Sequence, residues 1–276
     1  MTTVDSILKS LETLAPPERK MDFDNVGLLV GRRGAPVGRV LAALDVTDDV
    51  ITEAERLSAD LIVTHHPVIF QPVKTITDGD PVGRHLLRLI RSDIAVISMH
   101  TNLDAADGGV NDALAEALGL KNISMLTVEG TDSAGREYCC GRIGETERPM
   151  PLNAFLAGVQ KALNADGLRY CDGTGTVKRV AVVGGSGGSY LRHVLDAGCD
   201  TLVTADVKYD VFLTAKESGV NLIDADHFCT ENTVIPVVAG FLKNHYPSVS
   251  VEISKAHGQT AKTWTGTGLI ESYDFY

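Results

Sequence analysis

The chain has no run near the roughly 20 consecutive apolar residues that a bilayer-crossing helix needs. Its first residues carry acids and lack the apolar core of a secretory signal, so a membrane location is not expected and a cytoplasmic one is. Basic residues are few: 25 Lys and Arg stand against 36 Asp and Glu, for a formal charge of −11. Non-specific binding to nucleic acid or to an anionic membrane needs basic surface to displace counterions, so neither is an expected partner. The five cysteines are odd in number and show no CxxC spacing. That excludes a disulfide framework and fits small buried hydrophobes in a reducing compartment. No GxGxxG occurs in the dinucleotide-binding register and no GKS or GKT follows a glycine run, so NAD and ATP are not expected.

What is present is an ordinary globular composition. The chain has 276 residues, 44% hydrophobic and 22% charged, enough for two modest α/β units with real cores. Val4, Ile7, Leu8, Leu11 and Leu14 recur at helical spacing until Pro16 and Pro17, and a short apolar strand follows at 27–30. Strand, helix and strand then alternate at 40–44, 49–58 and 61–64. The plan returns at 180–183, 190–197 and 201–204, after a helix marked by Leu152, Phe155, Leu156 and Val159 and a strand at 168–170. Continuous apolar strands separated by helices are the pattern of parallel sheets covered on both faces. Two stretches are near copies at one shared spacing: RVLAAL at 39–44 recurs as RVAVVG at 179–184, and DLIVT at 60–64 as DTLVT at 200–204. The expected fold is α/β, with two similar three-layer α/β/α lobes related by internal duplication. A first lobe over 1–125 and a second over 126–276 are expected, with residues 121–150 as the join, a strand at 138–143 within it, and no inserted third domain.

The copies differ where metal chemistry would sit. His65 and His66 end one strand just before Pro67, where the second copy has Ala205 and Asp206. Adjacent residues on a regular strand point to opposite faces, so both imidazoles reach one site only if the backbone turns there or if they serve different ions. The alternative is one surface histidine and one satisfied core histidine. A second constellation supports the metal reading, because apolar runs lead into HxxxD at His100 and Asp104 and into HxxxE at His227 and Glu231. All of these follow expected strands, where open α/β sheets bind ligands. Residues four apart on a helix share a face. Three imidazoles and two carboxylates without a thiolate suit Zn, Fe or Mn, and bridging carboxylates allow two ions. Asp45 and His100 are the expected outer partners that orient the ligands or move protons. The glycine run at 184–189 lies between strand and helix, where free amides attract anions, but a tight turn explains it as well.

Several segments together resemble the NIF3-like family, also known as GTP cyclohydrolase 1 type 2 homologues: FDNVGLLVG at 23–31, LDVT at 44–47, THHPVIF at 64–70, HTNLD at 100–104, GRIG at 141–144, GGSG at 184–187 and HFCTE at 227–231. The match is ordered and spans nearly the whole chain. The resemblance implies that His65, His66, Asp104, His227 and Glu231 hold two divalent ions, and that the chain forms a toroidal homohexamer with its sites facing an inner cavity. Phe23 stands where the family often has Trp, and residues 205–209 (ADVKY) depart from its pattern, which places substrate contacts near Lys208 and Tyr209 in question. Three function classes follow: a metal-dependent hydrolase of a nucleotide-like small molecule, a metal-binding protein without turnover, and a regulatory interaction protein.

Overall fold

A computed structural model of the chain describes residues 1–264. Its strands are β1 (Gly27–Val30), β2 (Arg39–Ala43), β3 (Leu61–Thr64), β4 (Ala95–Ser98), β5 (Lys121–Met125), β6 (Gly130–Thr131), β7 (Glu137–Tyr138), β8 (Arg142–Pro151), β9 (Arg169–Cys171), β10 (Thr176–Val182), β11 (Thr201–Thr204), β12 (Asn221–Asp224) and β13 (Ser250–Ile253). Its helices are α1 (Val4–Leu14), α2 (Asp48–Leu57), α3 (Pro81–Arg91), α4 (Thr101–Asp104), α5 (Val110–Ala117), α6 (Leu152–Leu163), α7 (Leu191–Asp196), α8 (Tyr209–Glu217), α9 (His227–Glu231) and α10 (Ile235–His245). One sheet runs β1-β4-β3-β2-β13 and the other β5-β8-β10-β11-β12-β9.

The sheets share a four-strand plan. In the first, β4, β3 and β2 are parallel and β1 closes the edge antiparallel to β4. In the second, β12, β11 and β10 are parallel and β9 lies antiparallel to β12. Both sheets are therefore mixed, where the sequence pattern pointed to parallel ones. The edge strands β1 and β9 carry too few residues to announce their direction, and the longer β8, antiparallel to both β10 and β5, lies outside the strand–helix alternation that suggested parallel pairing.

Strand alternation sends side chains to both faces of each sheet, which explains the continuous apolar runs. Val40 and Ala42 join α1 and α10 in one core, while Leu41 and Ala43 join α2 and α3 in another. In the second sheet, Ala181 and Leu202 face α7 and α8, and Val180, Val182 and Val203 face α6. Each sheet is the middle of three layers. Helix α1 forms because its apolar residues fall on one stripe, and Thr3 and Ser6 close a capping box at its start. Helix α5 serves both lobes, with Val110 and Ala113 in the first core and Leu114 and Ala115 in the other.

A division at 125/126 does not follow the sheets. Strand β5 precedes that point yet pairs with β8 in the second sheet. Strand β13 returns to the first sheet and lies parallel to β2, so the first lobe is completed by the end of the chain. The strand expected at 138–143 is broken at 139–141. There the Arg142 guanidinium donates to the carbonyls of Cys139 and Gly141, and β7 instead forms a small ribbon with β6. All five cysteines are free. Among the described residues no helix is long and apolar enough to cross a membrane.

Candidate metal centre

The carboxyl ends of the parallel strands of both sheets supply the site. His65 and His66 follow β3, Asp45 follows β2, and His100 and Asp104 follow β4, with α4 forming the turn between them. From the other sheet, Asp206 follows β11, the glycine loop follows β10, and α9 carries His227 and Glu231 after β12. The strand ends of the two sheets thus converge on one site, where Glu231 after β12 meets His65 and His66 after β3. The backbone leaves the β geometry after Thr64, whose hydroxyl donates to the His66 carbonyl at 2.8 Å, while the His66 amide donates to the Leu44 carbonyl. This turn lets both imidazoles face one site, their ring centres 4.9 Å apart.

Glu231 is the centre of the arrangement. Its Oε2 lies 2.8 Å from His66 Nε2, 3.1 Å from His227 Nε2 and 3.7 Å from His65 Nε2. His65 Nε2 also lies 3.6 Å from Asp104 Oδ1, and both of those atoms are buried without a hydrogen-bond partner. A buried polar group left unpaired costs free energy, so its persistence here asks for a partner that the protein itself does not supply. A divalent cation fits, because the converging atoms are imidazole nitrogens and carboxylate oxygens, which ligate such ions once their protons are displaced. These buried groups can hold a metal ion as two clusters sharing Glu231: His66, His227 and Glu231, and His65, Asp104 and Glu231.

Each imidazole is oriented through its other nitrogen. His65 Nδ1 donates to the Met99 carbonyl at 2.8 Å and His66 Nδ1 to Asp45 Oδ1 at 2.7 Å. His227 Nδ1 donates to Asp206 Oδ2 at 2.6 Å and His100 Nδ1 to Asp24 Oδ1 at 2.7 Å. Such partners fix which nitrogen remains for a ligand. His100 also groups with His65 and His66 in reach of one ion, so its position is nearer the cluster than an outer partner requires.

The electrostatics follow from these contacts. Burial disfavours the His66 imidazolium, but Asp45 and Glu231 outweigh it and lift its pKa to about 10. His227 is lifted to about 9, with Glu231 and Asp206 overcoming burial. Burial and the Glu231 charge push Asp104 up, against the pull of His65. Burial also works against Glu231, yet the surrounding imidazoles hold it well below the usual carboxylate range.

Two local devices place α9. Asp226 adopts φ 71° and caps the helix by accepting from the Cys229 amide, so His227 and Glu231 project from one turn. The glycine loop provides room. Its amides at Gly184, Gly185 and Gly187 donate to Asn111, Thr230 and Thr204 side chains, so they are not free to cradle a phosphate. Tight-turn geometry is the reading that stands for this run.

Sequence reasoning missed three of the orienting groups: Asp24, Asp206 and the Met99 carbonyl. Asp206 had a signal, since it occupies the place that corresponds to His66 in the other strand plan. Lys208 and Tyr209 lie at the start of α8, where Tyr209 is 80% exposed, and neither borders the cavities next to the cluster.

The sequence profile of the Duf34/NIF3 (NGG1p interacting factor 3) family matches residues 2–260. A Clostridium perfringens protein named GTP cyclohydrolase 1 type 2 homolog is 36% identical over 246 residues, covering 89% of this chain and 93% of its own. A Clostridium acetobutylicum protein of the same name is 34% identical, covering 98% of this chain and 95% of its own. Among solved structures, a Bacillus cereus protein related to NIF3 superposes with a TM-score of 0.90 at 26% identity, over 96% of this chain and 99% of that one. With its profile match, its relatives and its fold in agreement, this chain belongs to the Duf34/NIF3 family.

Proposed function

We propose that the chain is a metal-dependent hydrolase that holds two divalent ions, Zn, Fe or Mn, and acts on a nucleotide-like small molecule in the cytoplasm. The observation that carries this reading is the position of one carboxylate oxygen, Glu231 Oε2, among three imidazole nitrogens, beside two buried atoms without partners. His65 and Asp104 would hold one ion and His66 and His227 the other, with Glu231 between them. Ions bound there would lower the pKa of a water and polarise the scissile group.

The remaining steps belong to the side chains. Asp45 and Asp206 keep His66 and His227 in the tautomer that leaves Nε2 facing Glu231. His100, fixed by Asp24 through Nδ1, has its other nitrogen left to carry a proton to or from the reacting group. The relatives' name, GTP cyclohydrolase 1 type 2 homolog, agrees with attack of water on a heterocyclic or nucleotide-like substrate. A closed homohexamer is part of the proposal, since closed symmetry shelters such a site and favours small substrates over polymers. Light scattering on the native protein tests that part.

The test of the reaction is a hydrolysis screen over nucleotides and heterocycles with protein reconstituted in Zn, Fe or Mn, and Glu231→Gln as control. Turnover that depends on metal and disappears in Glu231→Gln is the expected result. Full metal occupancy without turnover on any compound would favour a metal-binding protein that does no chemistry.

A further inference from the structure

The cluster opens onto a cavity of about 180 Å³, bounded by Met21, Phe23, His100, Ser186 and Tyr190 with Glu231 at its back. Phe23 is 63% exposed and Phe70 is 42% exposed, although both stand beside this cavity or its wall. They form an edge-to-face series leading inward. The Phe23 and Phe70 ring centres are 6.2 Å apart, Phe70 and His100 are 5.9 Å apart, and His100 and His65 are 5.3 Å apart. The two loops are pinned together, because Asn25 Nδ2 donates to the Ile69 carbonyl at 2.6 Å. The aromatic rim is therefore built, with its position set by a polar staple and not by burial of the rings.

Charge points the same way. Neither this cavity nor the one of about 280 Å³ on the other side of the cluster, beside Asp45, Asp206 and Asp226, is lined by a Lys or Arg among the described residues. Recognition of a substrate here has no Lys or Arg to use, which shifts weight to apolar and π surface. A small cavity that ends at the metal-ligand cluster and is bordered by an exposed phenyl ring suits a planar ring, for which stacking is favourable whatever its substituents.

We propose that Phe23 is the stacking platform for a planar heterocyclic ring of the substrate, seated in the 180 Å³ cavity with one edge toward His100 and Glu231. Phe70 is a positioning residue that braces Phe23 and His100. The substrate's fate rests on the hydrolase reading above, but the seat of the ring is read by binding alone.

The test uses the zinc-loaded full chain and calorimetric titration with guanosine, adenosine, cytidine and uridine. At least one nucleoside binds the wild type. Phe23→Ala and Phe23→Leu weaken that binding by about tenfold or more, since base–aromatic stacking is lost in both, while zinc content stays unchanged and Phe23→Trp retains affinity. Phe70→Ala weakens binding as well and Phe70→Tyr restores it. The proposal is overturned if no nucleoside binds, if Phe23→Leu binds as tightly as wild type, or if Phe23→Ala loses zinc, which would make the residue structural. The two readings fail separately. Phe23-dependent binding without turnover of any compound removes the hydrolase and keeps the ring seat. Turnover that is indifferent to Phe23→Ala does the reverse.

Discussion

Gly185 and Glu231 approach so closely that a β-carbon on Gly185 would lie 2.2 Å from Glu231 Oε1. Gly185 also has φ +61°, a conformation that costs an L-residue roughly 1–2 kcal/mol. Gly185→Ala is thus expected to lower stability by about that amount and to push Glu231 away from the imidazoles. Thermal melting and metal analysis check this. The melting point falls and metal binding weakens; an unchanged metal affinity would show that the loop does not set the position of Glu231.

Asp206→Asn keeps the size and a hydrogen-bonding group beside His227 but removes the charge that helps hold the ring. Loss of such an orienting partner typically costs about 10–100-fold in metal affinity. Competition with a chelator measures the change. Affinity equal to wild type would mean that the 2.6 Å contact between Asp206 and His227 does not contribute.

The pH dependence of metal binding has a definite sign. With the pKa of His66 lifted to about 10 and that of His227 to about 9, and Asp104 raised as well, the metal-free site holds protons at neutral pH. An ion must displace them, so apparent affinity rises with pH, by about tenfold per unit for each proton released. Calorimetry in buffers of different ionisation enthalpy counts those protons. Affinity that is flat from about pH 6 to about pH 8 would show that the imidazoles are already neutral in the metal-free protein.

Asp45→Asn and His100→Ala separate chemistry from metal holding. Asp45 acts on the cluster through its 2.7 Å hydrogen bond with His66, whereas His100, itself held by a 2.7 Å bond to Asp24, stands beside the cluster with its other nitrogen free of that bond. Turnover on an identified substrate should fall more than metal content does. Full rate in both variants would remove their orienting and proton-carrying roles.

Much of this site was legible because its ligands sit in short local patterns. HxxxD and HxxxE immediately after apolar strands placed His100, Asp104, His227 and Glu231, and two strand plans in one chain indicated that separate strand ends could meet. The orienting partners were harder to read. Asp24 lies 76 residues from His100, and Met99 acts through its carbonyl, which no side-chain pattern reveals. The return of β13 was hidden for a similar reason: Val249, Val251 and Ile253 alternate as a strand should, but nothing local names β2 as the neighbour. The glycine run was ambiguous in sequence because phosphate cradles and tight turns use the same residue; the Asn111, Thr230 and Thr204 side chains occupy the amides of Gly184, Gly185 and Gly187, which favours the tight turn.

The account stands most directly on the number of ions bound. Elemental analysis of the wild-type chain after reconstitution and removal of loose metal should give close to two divalent ions per chain, since Glu231 is common to two groups of converging ligands. Glu231→Gln should bind substantially less while remaining folded. One ion or fewer per wild-type chain, or full occupancy in Glu231→Gln, would contradict a dinuclear centre built around that carboxylate.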